Sequence, residues 1–504
     1  MTTMLSSFDA RTGAVLAELP GTAPAAVDAA CDAAAAAFPL WQGATGVQRG
    51  ALLRALAAAL EGDRADLVAL ADRETALGPV RLNGELDRTA FQLRRFADIA
   101  ERGEPFAFTD DPAVAGAPPA GHPAMQRWSV PLGPVAMFSA SNFPFAFSVL
   151  GGDTASALAA GCPVVVKAHS GHLQLSNRVF GLVQGVLAAQ DLPAGLIGLV
   201  QGGGRDIGVR LIRHPAIAAG AFTGSTQGGA ALAAEAAARP RPVPFFGELG
   251  STNPVIALAA KLATDGAALA TTLAGSITLG CGQFCTNPGV IVLIDEVQPG
   301  LDVKAVNDGF VAQLAEALRP QQPHAMLTTA MLTTAMRGAF EAGVAHWAQA
   351  GAEMLVQEPA AAGQPPRPVL AQVLAHEFIA RAALREEVFG PGSLVVRAAS
   401  LAQALQVLQA VGGTLTVTLW GLDADTDQTR ALVRGAMAIA GRVLFAGVPT
   451  GVAVTAAQQH GGPWPSSTRP ESTSVGDAAM ARFLRPVCLQ DAPAWLAGRA
   501  GRPV

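Results

Sequence analysis

Between residues 134 and 222 short apolar runs alternate with helical stretches, and no other feature of the chain limits its fold as tightly. Residues 135–139, 163–167, 196–200 and 219–222 read as strands, too short and too continuously apolar to face water on either side. Residues 148–160 read as a helix between the first two. Strands of this kind joined through helices make a parallel sheet whose crossovers cover both faces. Ligands of such sheets bind at the carboxyl ends of the strands, where Asn142 and Lys167 fall.

The same alternation returns further on, with strands expected near 254–258, 290–294, 393–396 and 415–419, so a second α/β lobe follows the first. At 504 residues the chain exceeds one core, given about 150 residues per domain. Residues 1 to about 105 read as a short hairpin-like lead followed by helices, with helical periodicity clearest at 27–38 and 49–60. The Pro/Gly-rich run 110–123 reads as a surface loop, 126–130 as a strand, 461–475 as a polar loop containing Arg469, and 482–489 as a last strand.

Composition excludes several roles. The chain is half hydrophobic yet has no run long enough to span a membrane and no signal-like start. A net charge of −5 without a basic block argues against nucleic acid as main partner. Cys31, Cys162, Cys281, Cys285 and Cys488 are odd in number and scattered, which suits a reducing cytoplasm better than a disulfide framework. Tyrosine is absent, and Lys167, Lys261 and Lys304 are the only lysines, so a retained ammonium invites the question of what it does.

Chemistry concentrates in Gly280-Cys281-Gly282-Gln283-Phe284-Cys285-Thr286-Asn287-Pro288-Gly289, where small turn-forming residues let the backbone approach a substrate. Cys285 is the candidate nucleophile, against the plainer readings of a small buried hydrophobe or half of a metal site with Cys281. No second Cys or His pair has ligand spacing, so no metal is expected. Glu248 lies in the apolar run 245–250, where burial is expected to raise its pKa and make it a base near neutrality. Asn142 supplies an amide donor, and thiol, base and donor together suffice to form and hydrolyse a thioester through an oxyanion. Gly224-Ser225-Thr226-Gln227-Gly228-Gly229 opens a helix after a strand, where glycines admit a pyrophosphate or simply make a turn. Lys167 either meets a ligand or merely closes its strand.

Asn142, Lys167, the 222–229 run, Glu248, Gln283-x-Cys285 and Glu386-Glu387-Val388-Phe389-Gly390-Pro391 occur in the order and approximate spacing of the aldehyde dehydrogenase superfamily, which the chain resembles over nearly its whole length. The resemblance implies an α/β fold with a Rossmann-type cofactor domain (1–123 and 134–249), an α/β catalytic domain (250–455) and a small oligomerisation arm (124–133 and 470–504). It implies Cys285, Glu248 and Asn142 as catalytic residues. Lys167, His169, Ser170, Gly224, Ser225, Gly229, Glu387 and Phe389 would bind the cofactor, and Phe143, Gln283 and Phe284 the substrate. NAD-preferring relatives often carry glutamate three residues after the lysine. Ser170 stands there instead, so NADP is expected to be tolerated or preferred over NAD. The partners implied are a small aldehyde and further copies of the chain, as a dimer or tetramer, in the cytoplasm.

Within the superfamily, Lys167-Ala168-His169, 461–465, 473–476 and 485–488 resemble the 2-oxoglutarate semialdehyde (2,5-dioxopentanoate) dehydrogenase branch, itself similar to NADP-linked fatty aldehyde dehydrogenases. Gly280 stands where the superfamily usually has Asn, Ala446 and Ala453 replace two polar residues of the branch, and Trp464 stands where it often has tyrosine. Losing the two polar residues would favour less polar aldehydes. A catalytically silent binding protein of this fold would have lost Cys285, Glu248 or Asn142, and an acylating, CoA-dependent enzyme would not need Glu248 as a hydrolytic base.

Overall fold

A computed structural model describes residues 3–103, 106, 108–321, 331–360 and 364–499; the expected domain ends at 1–2 and 500–504 lie outside the described residues. An antiparallel hairpin, Met4–Phe8 with Val15–Pro20, leads into the helices Pro24–Gln42, Gly46–Gly62, Arg64–Thr75 and Pro79–Arg102. Their starts and stops follow from local chemistry. Thr45 and Gln48 satisfy each other's backbone N–H groups at the second helix. A left-handed Ala76 ends the third, and Pro79 begins the fourth with its φ already helical.

Five parallel strands follow in the spatial order Ile197–Val200, Val164–Lys167, Val135–Phe138, Ala219–Thr223, Phe245–Glu248. The chain moves outward from 135–138 in one direction and then returns to its other side. A crevice therefore opens at the carboxyl ends between 135–138 and 219–223. The helix expected from 148 begins only at Gly152. Gly151 donates to the Ser148 carbonyl and Gly152 to the Ala146 carbonyl, closing a turn in which a Cβ at 151 would lie 2.5 Å from the Ala146 oxygen.

A second sheet has seven strands in the order Glu353–Gln357, Val369–Leu374, Gly392–Ala398, Val290–Ile294, Val255–Ala257, Thr414–Trp420, Ala440–Leu444, all parallel but the first. Its central strands are buried throughout, Val290–Ile294 as an unbroken apolar run and Thr414–Trp420 with its threonines buried among apolar residues. The chain crosses from the first sheet to the second between Glu248 and Val255.

The third sheet pairs Leu484–Gln490 with Met125–Pro131, and the latter with Thr109–Asp111. Two expectations change here. The run 110–123 is not wholly loop: its first residues form a short exposed edge strand, and Val114 bridges His122. The last strand starts at Leu484 because Asp477–Phe483 is a 3₁₀ helix packed on the helix Gly152–Ala160. Nor is 461–475 simply a polar surface loop, since Ser466, Ser467, Thr473 and Ser474 are buried in it. Among the described residues no helix is long and apolar enough to cross a membrane.

The buried pair Arg482 to Asp153, 2.6 Å, ties the 3₁₀ segment to that helix. Removing one partner strands a buried charge. Arg482→Met is expected to lower the melting temperature by roughly 5–10 °C, and Asp153→Asn added to it to recover part of the loss, as measured by calorimetry.

Candidate active site

A cavity of about 490 Å³ lies at the carboxyl ends of the five-stranded sheet. Of the residues singled out from sequence, Asn142, Phe143, Lys167, His169, Gly224, Ser225, Glu248, Cys285, Glu387 and Phe389 form its wall. Ser170, Gly229, Gln283 and Phe284 do not. Ser170 begins a short 3₁₀ turn, and Gly229 is a packing glycine whose Cβ would meet Leu249 at 2.1 Å.

Three successive residues, Gly280, Cys281 and Gly282, have left-handed backbone with φ of 56°, 58° and 69°. This curl lets the chain double back, so that Gln283 bonds the Gly280 carbonyl with both its N–H and its side-chain amide. Gln283 is thus wholly buried in its own loop. Gly282 cannot be replaced, because a Cβ there would lie 2.2 Å from the Gly390 carbonyl. At Gly280 a Cβ would meet Arg81 Nη1 at 2.3 Å. Arg81 sits over Phe143 and Phe284, 5.0 and 4.6 Å from the ring centroids, and donates to the Asn142 carbonyl at 2.7 Å.

Asn253, itself left-handed at φ 49°, holds this loop from beneath. Its Nδ2 donates to the carbonyls of Cys285 and Asn287, both at 2.9 Å, and its Oδ1 accepts from Ser251 and Thr416. The Asn142 amide donates one N–H to the Gln283 carbonyl at 2.9 Å, which leaves its second N–H for an oxyanion.

Cys285 Sγ lies 3.4 Å from His460 Nε2, which lies 2.9 Å from Glu248 Oε1. Ser474 donates to Glu248 Oε2. The ligating atoms of Glu248, Cys285 and His460 all lie within 4.8 Å of one another. Burial pushes the Cys285 thiol up, and the Glu248 carboxylate beside it adds to that, so the sulfur rests protonated. Cys281 is turned away and buried, its thiol pushed up to about 12.

The raised Glu248 pKa expected from burial does not arise. Burial does push the carboxyl up, but the pull and hydrogen bond of His460, with the bonds from Ser474 and Cys285, outweigh it and hold Glu248 below the usual carboxylate range. Both partners stand more than 200 positions away in sequence, at separations of 212 and 226. Sequence reasoning missed His460 entirely. Its signal was position, immediately before Gly461-Gly462-Pro463-Trp464-Pro465, one of the runs already noted.

The rest of the cavity fits an elongated nucleotide. Ser225 caps the helix Thr226–Ala237, accepting from Gly228 N–H at 3.2 Å, so the helix N-terminus faces the cavity. Ser139 and Thr223 line the wall, their hydroxyl oxygens buried and without a partner among the described residues. Lys167 and Arg205 supply positive charge. Burial pushes the Lys167 ammonium down, and burial together with His172 and Lys167 drives His169 well down. His169 Nδ1 accepts the Gly171 N–H at 3.1 Å. Glu387 is exposed to the open cavity, yet the protein crowded round its carboxyl pushes it up to about 7, with the Ser251 N–H opposing.

Residues 2–473 match the model of the family described as "Aldehyde dehydrogenase family". The chain is 44% identical over 473 residues to Alpha-ketoglutaric semialdehyde dehydrogenase 2 of Azospirillum brasilense, covering 94% of this chain and 88% of the relative. It is 38% identical over 477 residues to Alpha-ketoglutaric semialdehyde dehydrogenase of Acinetobacter baylyi, covering 92% and 86%. The crystal structure of aldehyde dehydrogenase 21 from Physcomitrella patens superposes with a TM-score of 0.80 at 20% identity, covering 98% and 96%, a likeness of fold.

The Glu387 shift has a signed consequence. With a folded pKa of about 7 against an ordinary 4.5, the protonated carboxyl is the favoured folded form. That contribution to stability is complete below pH 4.5 and is lost as pH rises through about 7. Glu387→Gln keeps the neutral form at every pH. Its melting temperature relative to the natural chain is expected to climb between pH 5 and about 7 and then level off, read by thermal melts across that range.

Proposed function

Since the chain belongs to the aldehyde dehydrogenase family, whose members oxidise aldehydes with NAD or NADP, we propose that it converts 2-oxoglutarate semialdehyde (2,5-dioxopentanoate) to 2-oxoglutarate through a thioester on Cys285. The observation that carries this reading is the meeting of Cys285 and Glu248 on the wall of a cavity suited to a dinucleotide, with His460 buried against both. The names borne by the two relatives support the substrate.

Glu248, hydrogen-bonded by Cys285 and by the His460 Nε2–H, is positioned to take the Cys285 proton and to pass it to solvent before hydrolysis. The sulfur attacks the aldehyde carbon, and the resulting oxyanion is held by the spare N–H of Asn142 and the Cys285 backbone N–H. The nicotinamide, when bound, supplies the hydride acceptor. Glu248, kept ionised by its partners, then draws a proton from the water that attacks the thioester carbon, and the acid leaves as the thiol reforms. Glu387 and Phe389 would hold the cofactor's reactive end, and Gly224, Ser225 and the helix N-terminus its phosphates.

Lys167 and Arg205 favour NADP, since both are cationic on the cavity wall and Ser170 brings no opposing carboxylate. The five-stranded sheet serves as the cofactor lobe and the seven-stranded sheet as the catalytic lobe. The exposed outer strands Leu484–Gln490 and Thr109–Asp111 serve for pairing with further copies.

Initial rates with 2,5-dioxopentanoate and with a long-chain aldehyde, under NADP and under NAD, test the reading. The dioxo acid is expected to give the higher kcat/KM, and Cys285→Ala to lower it by about 10³-fold or more. Faster turnover of the long chain would move the substrate to fatty aldehydes, and activity that survives without Cys285 would sink the mechanism. Arg205→Ala is expected to raise KM for NADP about tenfold while that for NAD changes little, since only one cofactor carries the extra phosphate.

A further inference from the structure

Two arginines lie within electrostatic reach of the reacting sulfur but outside the cavity wall. Arg88, on the helix Pro79–Arg102, donates Nη1 to the Val452 carbonyl at 2.6 Å. Its Nε and Nη2 are buried and have no partner. Arg442, on the strand Ala440–Leu444, donates to the carbonyls of Pro449 and Gly451, and its Nε is likewise buried without a partner. Both therefore hold the same short loop. The Arg88 guanidinium lies 5.9 Å from the ring centre of Phe147, which lines the cavity with Cys285. Glu85 and Glu248 act on the Arg88 charge, and a Cys285 thiolate would act on Arg88 and Arg442 alike, so both arginines lie within electrostatic reach of the reacting sulfur.

The unpaired nitrogens of Arg88 are not an arbitrary two. Nε–H and Nη2–H form one edge of the guanidinium, two parallel donors spaced for the two oxygens of a carboxylate. Elsewhere in this chain the same edge is used in that way: Arg95 grips Asp477 with it, Arg178 grips Asp63, and Arg430 grips Asp425. Arg88 has that edge buried and without a partner among the described residues, within electrostatic reach of the sulfur. Leaving it so costs free energy unless a ligand supplies the oxygens. Arg81 also has a buried nitrogen without a partner, Nη1, but its Nη2 is held by the Asn142 carbonyl and two phenyl rings flank the group.

We propose that Arg88, with Arg442 behind it, is the anion clamp of the substrate site, taking the carboxylate of an ω-oxo acid on its Nε and Nη2 edge while the aldehyde end meets Cys285. The inference rests on the nucleophile and substrate proposed above and adds the group that would select an acidic aldehyde. Buried polar donors left empty reject a neutral chain more strongly than apolar walls accept it.

The test compares kcat/KM for 2,5-dioxopentanoate with that for pentanal, of equal carbon count, in the natural enzyme, Arg88→Met and Arg88→Lys, each first checked for an unchanged melting temperature. The ratio is expected to fall about 100-fold in Arg88→Met, chiefly through KM for the acid. Arg88→Lys should restore only part of it, because an ammonium lacks the fork. An equal loss on both aldehydes, leaving the ratio unchanged, would mean that Arg88 merely anchors the Val452 loop, and the clamp would fall while the substrate reading stood. A natural enzyme with no preference for the acid would overturn both. Should Arg88→Met not fold, Arg442→Gln with the same pair of substrates decides by the same ratio.

Discussion

The Asn253 side chain is the contact on which the rest of the site depends. It stands on the six-residue crossing from the first sheet to the second, between Glu248 and Val255. From there it holds the backbone of Cys285 and Asn287 on one side and Thr416 of a central strand on the other. Its backbone N–H is also bonded, to Thr414 Oγ1 at 3.0 Å. A fully buried amide with these groups satisfied fixes the nucleophile loop to a sheet that cannot shift without losing its own ladder. The left-handed backbone it needs is one that asparagine tolerates better than most residues. The curl at 280–282 then does the remaining work, turning the chain so that the sulfur faces the cleft while Cys281 faces the core.

Charge in this centre is arranged by partners rather than by burial alone. Glu248 and Cys285 are both deeply placed, yet one is held ionised and the other protonated. The difference lies in the neighbours. Glu248 receives His460 and Ser474, whereas Cys285 has Glu248 itself at its side, with Arg88 the opposing charge. Negative charge is thus stored on oxygen, where it can activate water. The sulfur releases its proton, to Glu248, only when a bound substrate makes that favourable.

Much of this architecture was legible in the chain. Continuous apolar runs gave away the strands at 135–138, 164–167 and 290–294, since burial on both faces leaves no alternation to confuse. Cys285, Glu248, Asn142, Lys167 and Glu387 lay in recognisable runs, and the fold brings all five to one cavity. What stayed hidden was long-range. Neither the pairing of His460 with Glu248 nor the pinning of Cys285 by Asn253 has a local signature. The start of the helix at Gly152 was missed because a hydrogen-bonded turn at 146–151 uses residues that would equally suit a helix. The direction of the Glu248 shift was misjudged for the first of these reasons: burial can be read from an apolar run, but the partners that outweigh it cannot.

The room for Arg81 beside the Cys285 loop exists because position 280 has no side chain. Positions 81 and 280 are therefore coupled by space. A larger residue at 280 would evict the guanidinium from between Phe143 and Phe284 and free the Asn142 carbonyl it steadies, and only a shorter residue at 81 would make space again. For anyone recombining segments of related enzymes, the helix Pro79–Arg102 and the nucleophile loop are inherited together or not at all.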